Sequence, residues 1–122
     1  LAVATRTLHD AGFHHRDLKP RNILVREGAS GPELFFFDCP SGHRPPRFLL
    51  RRGIVRDLAH LEEGLHGHLR RVDMLYLLKQ YRGSARLSAE DKALASEVLA
   101  YFPKRRMTRK RKRREREKRE RA

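Results

Sequence analysis

The chain has 122 residues, 29 Lys+Arg against 15 Asp+Glu for a net charge of +14, a single cysteine and no tryptophan. That length holds one domain at most, and the lone Cys39 excludes an internal disulfide and any multi-cysteine zinc site. No apolar run approaches the length needed to cross a bilayer, nothing resembles a signal peptide, and the charge is lopsided: residues 104–122 carry 13 of the bases and only 3 of the acids.

Taken in order, residues 2–12 predict a helix, with Ala2, Val3, Leu8 and Ala11 apolar and Gly12 as its stop. His9 and His14 read as surface or core filler rather than as metal ligands. The next stretch, Phe13 to Val25 (FHHRDLKPRNILV), carries most of the functional information. Asp17 and Asn22 stand five positions apart with Lys19 and Pro20 between them, and an apolar β-prone run follows at once. Pro20 pushes Lys19 out of the α region, so a non-helical loop is expected there. As bare residue types, Asp, Lys, Pro and Asn would equally fill a polar turn between a helix and a strand.

Two strands are predicted, Asn22 to Arg26 and Glu33 to Asp38, joined by the Gly/Ser/Pro cluster of residues 27–32 as a hairpin. An antiparallel pairing brings Asn22 and Asp38 to its open end, where opposed Cβ atoms are about 5 Å apart and an amide oxygen and a carboxylate can share a divalent ion. Asp38 would also serve as a strand-ending acid capping a turn. The unbroken Phe35-Phe36-Phe37 run predicts a strand covered on both faces.

Residues 41–52, rich in arginine and proline, read as a loop whose arginines either hold an anion or are simply solvated. Residues 54–67 predict an amphipathic helix with Ile54, Leu58, Leu61 and Leu65 on one face, and its histidines His60, His66 and His68 read as surface residues. A further helix over 71–81 has Val72, Leu75, Tyr76 and Leu78 as its expected core stripe. The last predicted helix, 87–102, opens on Ser88 with Asp91 three residues on, a capping-box spacing, and stops at Pro103. Residues 104–121 have no apolar periodicity. They predict an extended or loosely helical tail in which Glu115, Glu117 and Glu120 pair with bases one turn away.

The order His15-Arg16-Asp17-Leu18-Lys19-Pro20-x-Asn22 resembles the catalytic loop of the protein-kinase-like superfamily, H-R-D-x-x-x-x-N. The resemblance implies that Asp17 orients the attacking hydroxyl, Lys19 places a positive charge on the migrating phosphoryl group, and Asn22 with Asp38 binds ATP-linked Mg²⁺. It further implies that His15 and Arg16 brace the loop. Within Arg56-Asp57-Leu58, Asp57 resembles the buried family aspartate that hydrogen-bonds the loop backbone; as a bare residue it is also compatible with an exposed helix acid. The family's D-F-G is replaced by Asp38-Cys39-Pro40, so the carboxylate is kept and the phenylalanine is not. No A-P-E sequence follows, and Ser41 is the one hydroxyl in a short activation region.

The expected fold class is therefore α+β: a mainly helical protein-kinase-like C-lobe with a short hairpin beside the catalytic loop. The N-lobe is expected to be missing, because no glycine-rich loop or strand lysine precedes Asp17. Residues 1–103 form the lobe fragment and 104–122 the polybasic tail. Read together, the loop, the Phe-rich strand ending in Asp38, the Arg-Asp-Leu helix and the terminal basic run look like the lipopolysaccharide core kinase family. That likeness implies ATP- and Mg²⁺-dependent phosphorylation of a Kdo or heptose hydroxyl on a lipid-linked sugar, at the cytoplasmic face of the inner membrane. The tail would then meet the anionic membrane surface through residues 104–121, with nucleic-acid backbone as the other polyanion it suits. The alternatives are a soluble protein-serine/threonine or small-molecule kinase, and a non-catalytic nucleic-acid-binding kinase relic. The fragment alone is expected to be inactive.

Overall fold

A computed structural model describes residues 1–121, without the side chains of 104 and 105. In chain order it comprises α1 (Ala2–Asp10), a 3-10 turn (Pro20–Asn22), the strands β1 (Ile23–Gly28) and β2 (Gly31–Phe36), a second 3-10 turn (Arg47–Leu49), α2 (Leu50–Leu65), α3 (Arg71–Arg82) and α4 (Ala89–Arg121). The result is α+β, mostly helical with one two-stranded antiparallel sheet.

Helix ends follow local chemistry. Behind α1, Gly12 takes a left-handed φ of +76° and returns its N–H to the His9 carbonyl at 2.9 Å; this conformation is strained for a residue bearing a Cβ. At the start of α4 the Asp91 N–H donates to Ser88 Oγ (3.1 Å) and the Ser88 N–H to Asp91 Oδ2 (2.9 Å), so the predicted reciprocal cap is formed. The α4 helix does not stop at Pro103, contrary to expectation, but runs to Arg121. A proline leaves the carbonyl four residues back without its donor. Here that carbonyl belongs to Leu99, 61 % exposed, where water can serve it. The turns on either side are held independently: Tyr101 and Phe102 pack on α2, and Arg106 reaches Glu63 at 3.0 Å. Beyond them, Arg111–Glu115, Arg113–Glu117 and Arg116–Glu120 pair across successive turns.

The buried apolar cluster is Ala2, Val55, Ala59, Tyr81, Leu94 and Val98, so α2 lies at the centre with α4 against it, while α1 packs on α3. Ile54 and Leu58 line this core as expected, but α2 begins at Leu50 and is buried on more than one face through Gly53, Val55, Asp57, Ala59 and Leu61. The stripe on α3 differs from the expected one. Leu77, Leu78 and Tyr81 face the core, whereas Val72, Leu75 and Tyr76 are exposed. On α1 the buried side is Ala2, Thr5 and His9, not Val3.

The hairpin is longer and tighter than its sequence suggests. Ile23 pairs with Phe36 and Gly28 with Gly31, leaving only Ala29 and Ser30 as the loop. Phe35 and Phe37 are exposed, so the strand is covered on one face, where Phe36 meets the His15 ring at 6.5 Å.

The helical body meets the loops at two glycines of α2. A Cβ on Gly53 would lie 1.6 Å from His14 Nδ1, and one on Gly64 would lie 2.3 Å from Pro20 Cδ. Both ends of the segment from His14 to Pro20 thus sit directly on helix backbone. His14 also exchanges backbone hydrogen bonds with His43 (2.9 and 3.1 Å), tying the following arginine-rich loop to the same place. Gly→Ala in an ordinary helix interior stabilises by about 1 kcal/mol. Gly53→Ala is expected to do the reverse, lowering unfolding free energy by about 1–3 kcal/mol through overpacking against His14, measured by urea denaturation.

Candidate active site

Between α1 and β1 the chain makes a turn whose conformation is fixed from behind. Arg16 adopts φ = +70°, a left-handed conformation uncommon for a non-glycine residue. Successive N–H groups in such a turn converge on one point and form an anion-binding concavity. The anion is Asp57 of α2, fully buried: its Oδ2 accepts the His15 N–H (2.9 Å) and its Oδ1 the Arg16 N–H (2.8 Å). A third bond comes from His9 Nε2 of α1 at 3.0 Å, and His9 Nδ1 meets the Tyr81 hydroxyl at 2.7 Å. Burial pushes Tyr81 up to about 12, so it keeps a proton to share with His9. For Asp57 burial acts in the same upward direction, but the bonds from His9, His15 and Arg16 outweigh it and hold the carboxyl below its ordinary value.

His15 is also fully buried. Its Nε2–H donates to the Phe37 carbonyl (2.8 Å) while its Nδ1 accepts the Asp17 N–H (3.3 Å), one neutral tautomer serving both. This ring joins the loop to the end of β2. Leu18, 0 % exposed, points the opposite way from its neighbours and anchors the loop, leaving Asp17 and Lys19 at the surface.

Asp17 Oδ1 lies 2.8 Å from Lys19 Nζ and 4.0 Å from His60 Nδ1. The Lys19 contact is the main reason the Asp17 carboxyl is held below the usual carboxylate range; partial burial opposes it, and His60 and Asn22 add to it. The group is therefore ionised at neutral pH, suited to orienting a hydroxyl more than to stripping its proton from a distance. Lys19 is extended (φ −96°, ψ 151°), as its place before Pro20 requires. Asn22 is buried, with Nδ2 donating to the Asp17 carbonyl (2.9 Å) and to Asp17 Oδ2 (3.3 Å). Among the described residues no hydrogen bond uses its Oδ1, so the oxygen is the atom left for a cation.

The structure thus gathers Asp17, Lys19 and Asn22 into one group and His15, Arg16 and Asp57 into a second directly behind it. Asp38 is placed less simply. β2 ends at Phe36, and it is Phe37 that faces Asn22, its N–H donating to the Asn22 carbonyl at 3.0 Å. Asp38 follows one residue further on, exposed and left-handed at φ = +53°. No hydrogen bond or ion pair joins it to Asn22 among the described residues. No cluster of three or more His, Cys, Asp or Glu able to hold a metal is found there either. An amide oxygen and one carboxylate nevertheless suit Mg²⁺, which takes hard oxygen ligands, keeps several waters and shares substrate phosphates.

Four contributors escaped the sequence reading. His9 and Tyr81 lie far from the loop in sequence, and no spacing linked them to Asp57. His60 is not a surface residue: its side chain is 12 % exposed, packed edge-on to Phe102 (5.3 Å) and turned toward Asp17. Arg106, assigned to a free tail, is attached to α2 instead. His66 and His68 are exposed, as expected.

Removing a buried charge partner typically costs about 3–5 kcal/mol, and Asp57→Ala is expected to lower unfolding free energy by about that much at pH 7. Because the folded Asp57 pKa is depressed, its contribution is full above the unfolded value of about 3.9 and is lost as pH falls through the folded value. The gap between the parent and Asp57→Ala, followed by urea denaturation, is expected to hold from pH 7 to 5 and to close below about pH 4.

Comparison with known proteins agrees with the loop at the level of family. The model of the Lipopolysaccharide kinase (Kdo/WaaP) family matches residues 1–81. Two serine/threonine-protein kinases named AfsK, from Streptomyces griseus and Streptomyces coelicolor, are each 38% identical over 61 residues, which is 50% of this chain but only 7% of each relative. With its buried Asp57, its extended Lys19-Pro20 step and a family match over two-thirds of its length, the chain belongs to the Lipopolysaccharide kinase (Kdo/WaaP) family.

Proposed function

We propose that the protein is a phosphotransferase that moves the γ-phosphate of ATP to a hydroxyl of a Kdo or heptose sugar in the lipopolysaccharide inner core. The observation that carries this reading is the Asp17–Lys19–Asn22 group, with its loop held by Asp57, in a member of this family. Residues 1–103 are read as a kinase C-lobe fragment and 104–122 as its polybasic appendage. Asp17 orients the acceptor hydroxyl and receives its proton as the new oxygen–phosphorus bond forms and the γ-phosphorus bond to the bridging oxygen breaks, with ADP leaving. The Lys19 ammonium compensates negative charge on the transferred group. Asn22 and Asp38 would hold Mg²⁺, which supplies charge neutralisation of the ATP phosphates. His15, Arg16 and Asp57 position Asp17 without touching substrate.

A second acceptor class is favoured by one observation, the Lys19-Pro20 step together with the likeness to two serine/threonine-protein kinases. Assay of core oligosaccharide, peptide and small-molecule acceptors separates the readings. The 122 residues contain no glycine-rich phosphate loop before Asp17 and are expected to show no turnover by themselves.

We place the basic half of α4 at an anionic membrane surface on the cytoplasmic side of the inner membrane. No helix among the described residues is long and apolar enough to cross a membrane; the basic run of residues 104–121 supports an electrostatic contact. Each base near lipid contributes about 1 kcal/mol.

In the full-length protein, Asp17→Ala is expected to lower kcat on core oligosaccharide about 10²–10⁴-fold with ATP still bound; retained transfer would sink the assignment. Binding to phosphatidylserine-containing vesicles, read by co-sedimentation, is expected to weaken steeply with added salt and to be lost on deleting residues 104–122.

A further inference from the structure

Beside Asp17 lies a cleft of about 640 Å³, walled by the Lys19-Pro20-Arg21 step, the C-terminal half of α2 and the α4 segment from Phe102 to Arg109. Clefts of roughly 300–1,000 Å³ accommodate small ligands. The charge within it is strongly one-sided: Lys19, Arg21, Arg106 and Arg109 face one carboxylate, Glu63. Two of those cations are committed, Lys19 to Asp17 and Arg106 to Glu63. The side chains of Arg21 and Arg109, both exposed, enter no hydrogen bond or ion pair among the described residues. Phe102 and Pro20 supply apolar surface between these charges.

We propose that this cleft is an acceptor subsite for an anionic sugar, with Arg21 and Arg109 holding a phosphate or carboxylate group on the sugar whose hydroxyl Asp17 orients. The inference rests on the phosphotransferase reading for the hydroxyl and on the cleft for the anion. Guanidinium groups bind both anions through paired, planar N–H donors, and an aromatic face with a proline ring suits the apolar side of a sugar. Arg109 lies outside residues 1–81, the span matched by the family model, so this wall of the subsite is argued from the present chain's own geometry. The first basic turns of α4 are thereby a specificity element, separate from the more distal bases that would meet a membrane.

Titration calorimetry of the full-length protein without ATP tests binding apart from transfer, using glucose 6-phosphate, glucuronate, glucose and inorganic phosphate as probes. At least one sugar anion is expected to bind at least tenfold more tightly than glucose and than inorganic phosphate. Which of the two wins identifies the group. Arg21→Glu and Arg109→Glu are each expected to weaken that binding at least tenfold, and Arg86→Glu, an equal charge change on an exposed loop, to leave it alone. The proposal is overturned if both sugar anions bind no better than glucose, if inorganic phosphate alone accounts for the affinity, or if the two variants behave like Arg86→Glu. Should sugar-anion binding follow this pattern while no acceptor is phosphorylated, the subsite stands and the phosphotransferase reading fails.

Discussion

A single buried carboxylate organises this molecule. Asp57 receives N–H groups from α1 and from two consecutive residues of the loop, and through His9 it is linked to Tyr81 at the end of α3. Left-handed backbone at Arg16 is unfavourable by itself, of order 1–3 kcal/mol, and it persists because it aims two adjacent N–H groups at the same anion. The dependence runs in both directions: without the turn, the carboxylate would be a buried charge with one partner, which is strongly destabilising. Three helices and a loop therefore share one electrostatic centre, and Asp17 and Lys19 stand on its outer side, open to solvent.

The sequence made some of this legible and concealed the rest for physical reasons. Local effects were readable: the extended backbone at Lys19 follows from the ring of Pro20, and the reciprocal bonds of Ser88 and Asp91 follow from their spacing. The short separation of Asp17 and Asn22 allowed them to meet. Relations between distant segments were not readable. Nothing in the spacing of His9, Asp57 and Tyr81 announces that they touch, since helix packing rather than periodicity brings them together. The α3 stripe was misplaced because its apolar residues encircle the helix, and periodicity cannot choose between Leu75 and Leu77 without knowing where α1 lies. At the hairpin β2 ends two residues before the expected Asp38, and a one-residue difference in register puts Phe37 across from Asn22.

The basic segment shows how charge composition can mislead. Residues 104–121 look like a solvated tail because they have no apolar side to bury. They remain helical because Tyr101 and Phe102 dock the preceding turn, Arg106 clasps Glu63, and glutamates recur at the spacing that lets each meet an arginine one turn back. The helix thus inherits its start from packing and its continuation from side-chain pairing.

Pro103 gives that arrangement a mechanical character. A helix lacking one rung of its hydrogen-bond ladder flexes most easily at that rung, and here the rung lies between two attachments, Tyr101 and Phe102 before it and Arg106 after it. The Arg106–Glu63 clasp beyond it is exposed to solvent and open to screening. Added salt would therefore loosen this outer attachment of the basic helix while the buried centre around Asp57, shielded from ions, stayed unchanged.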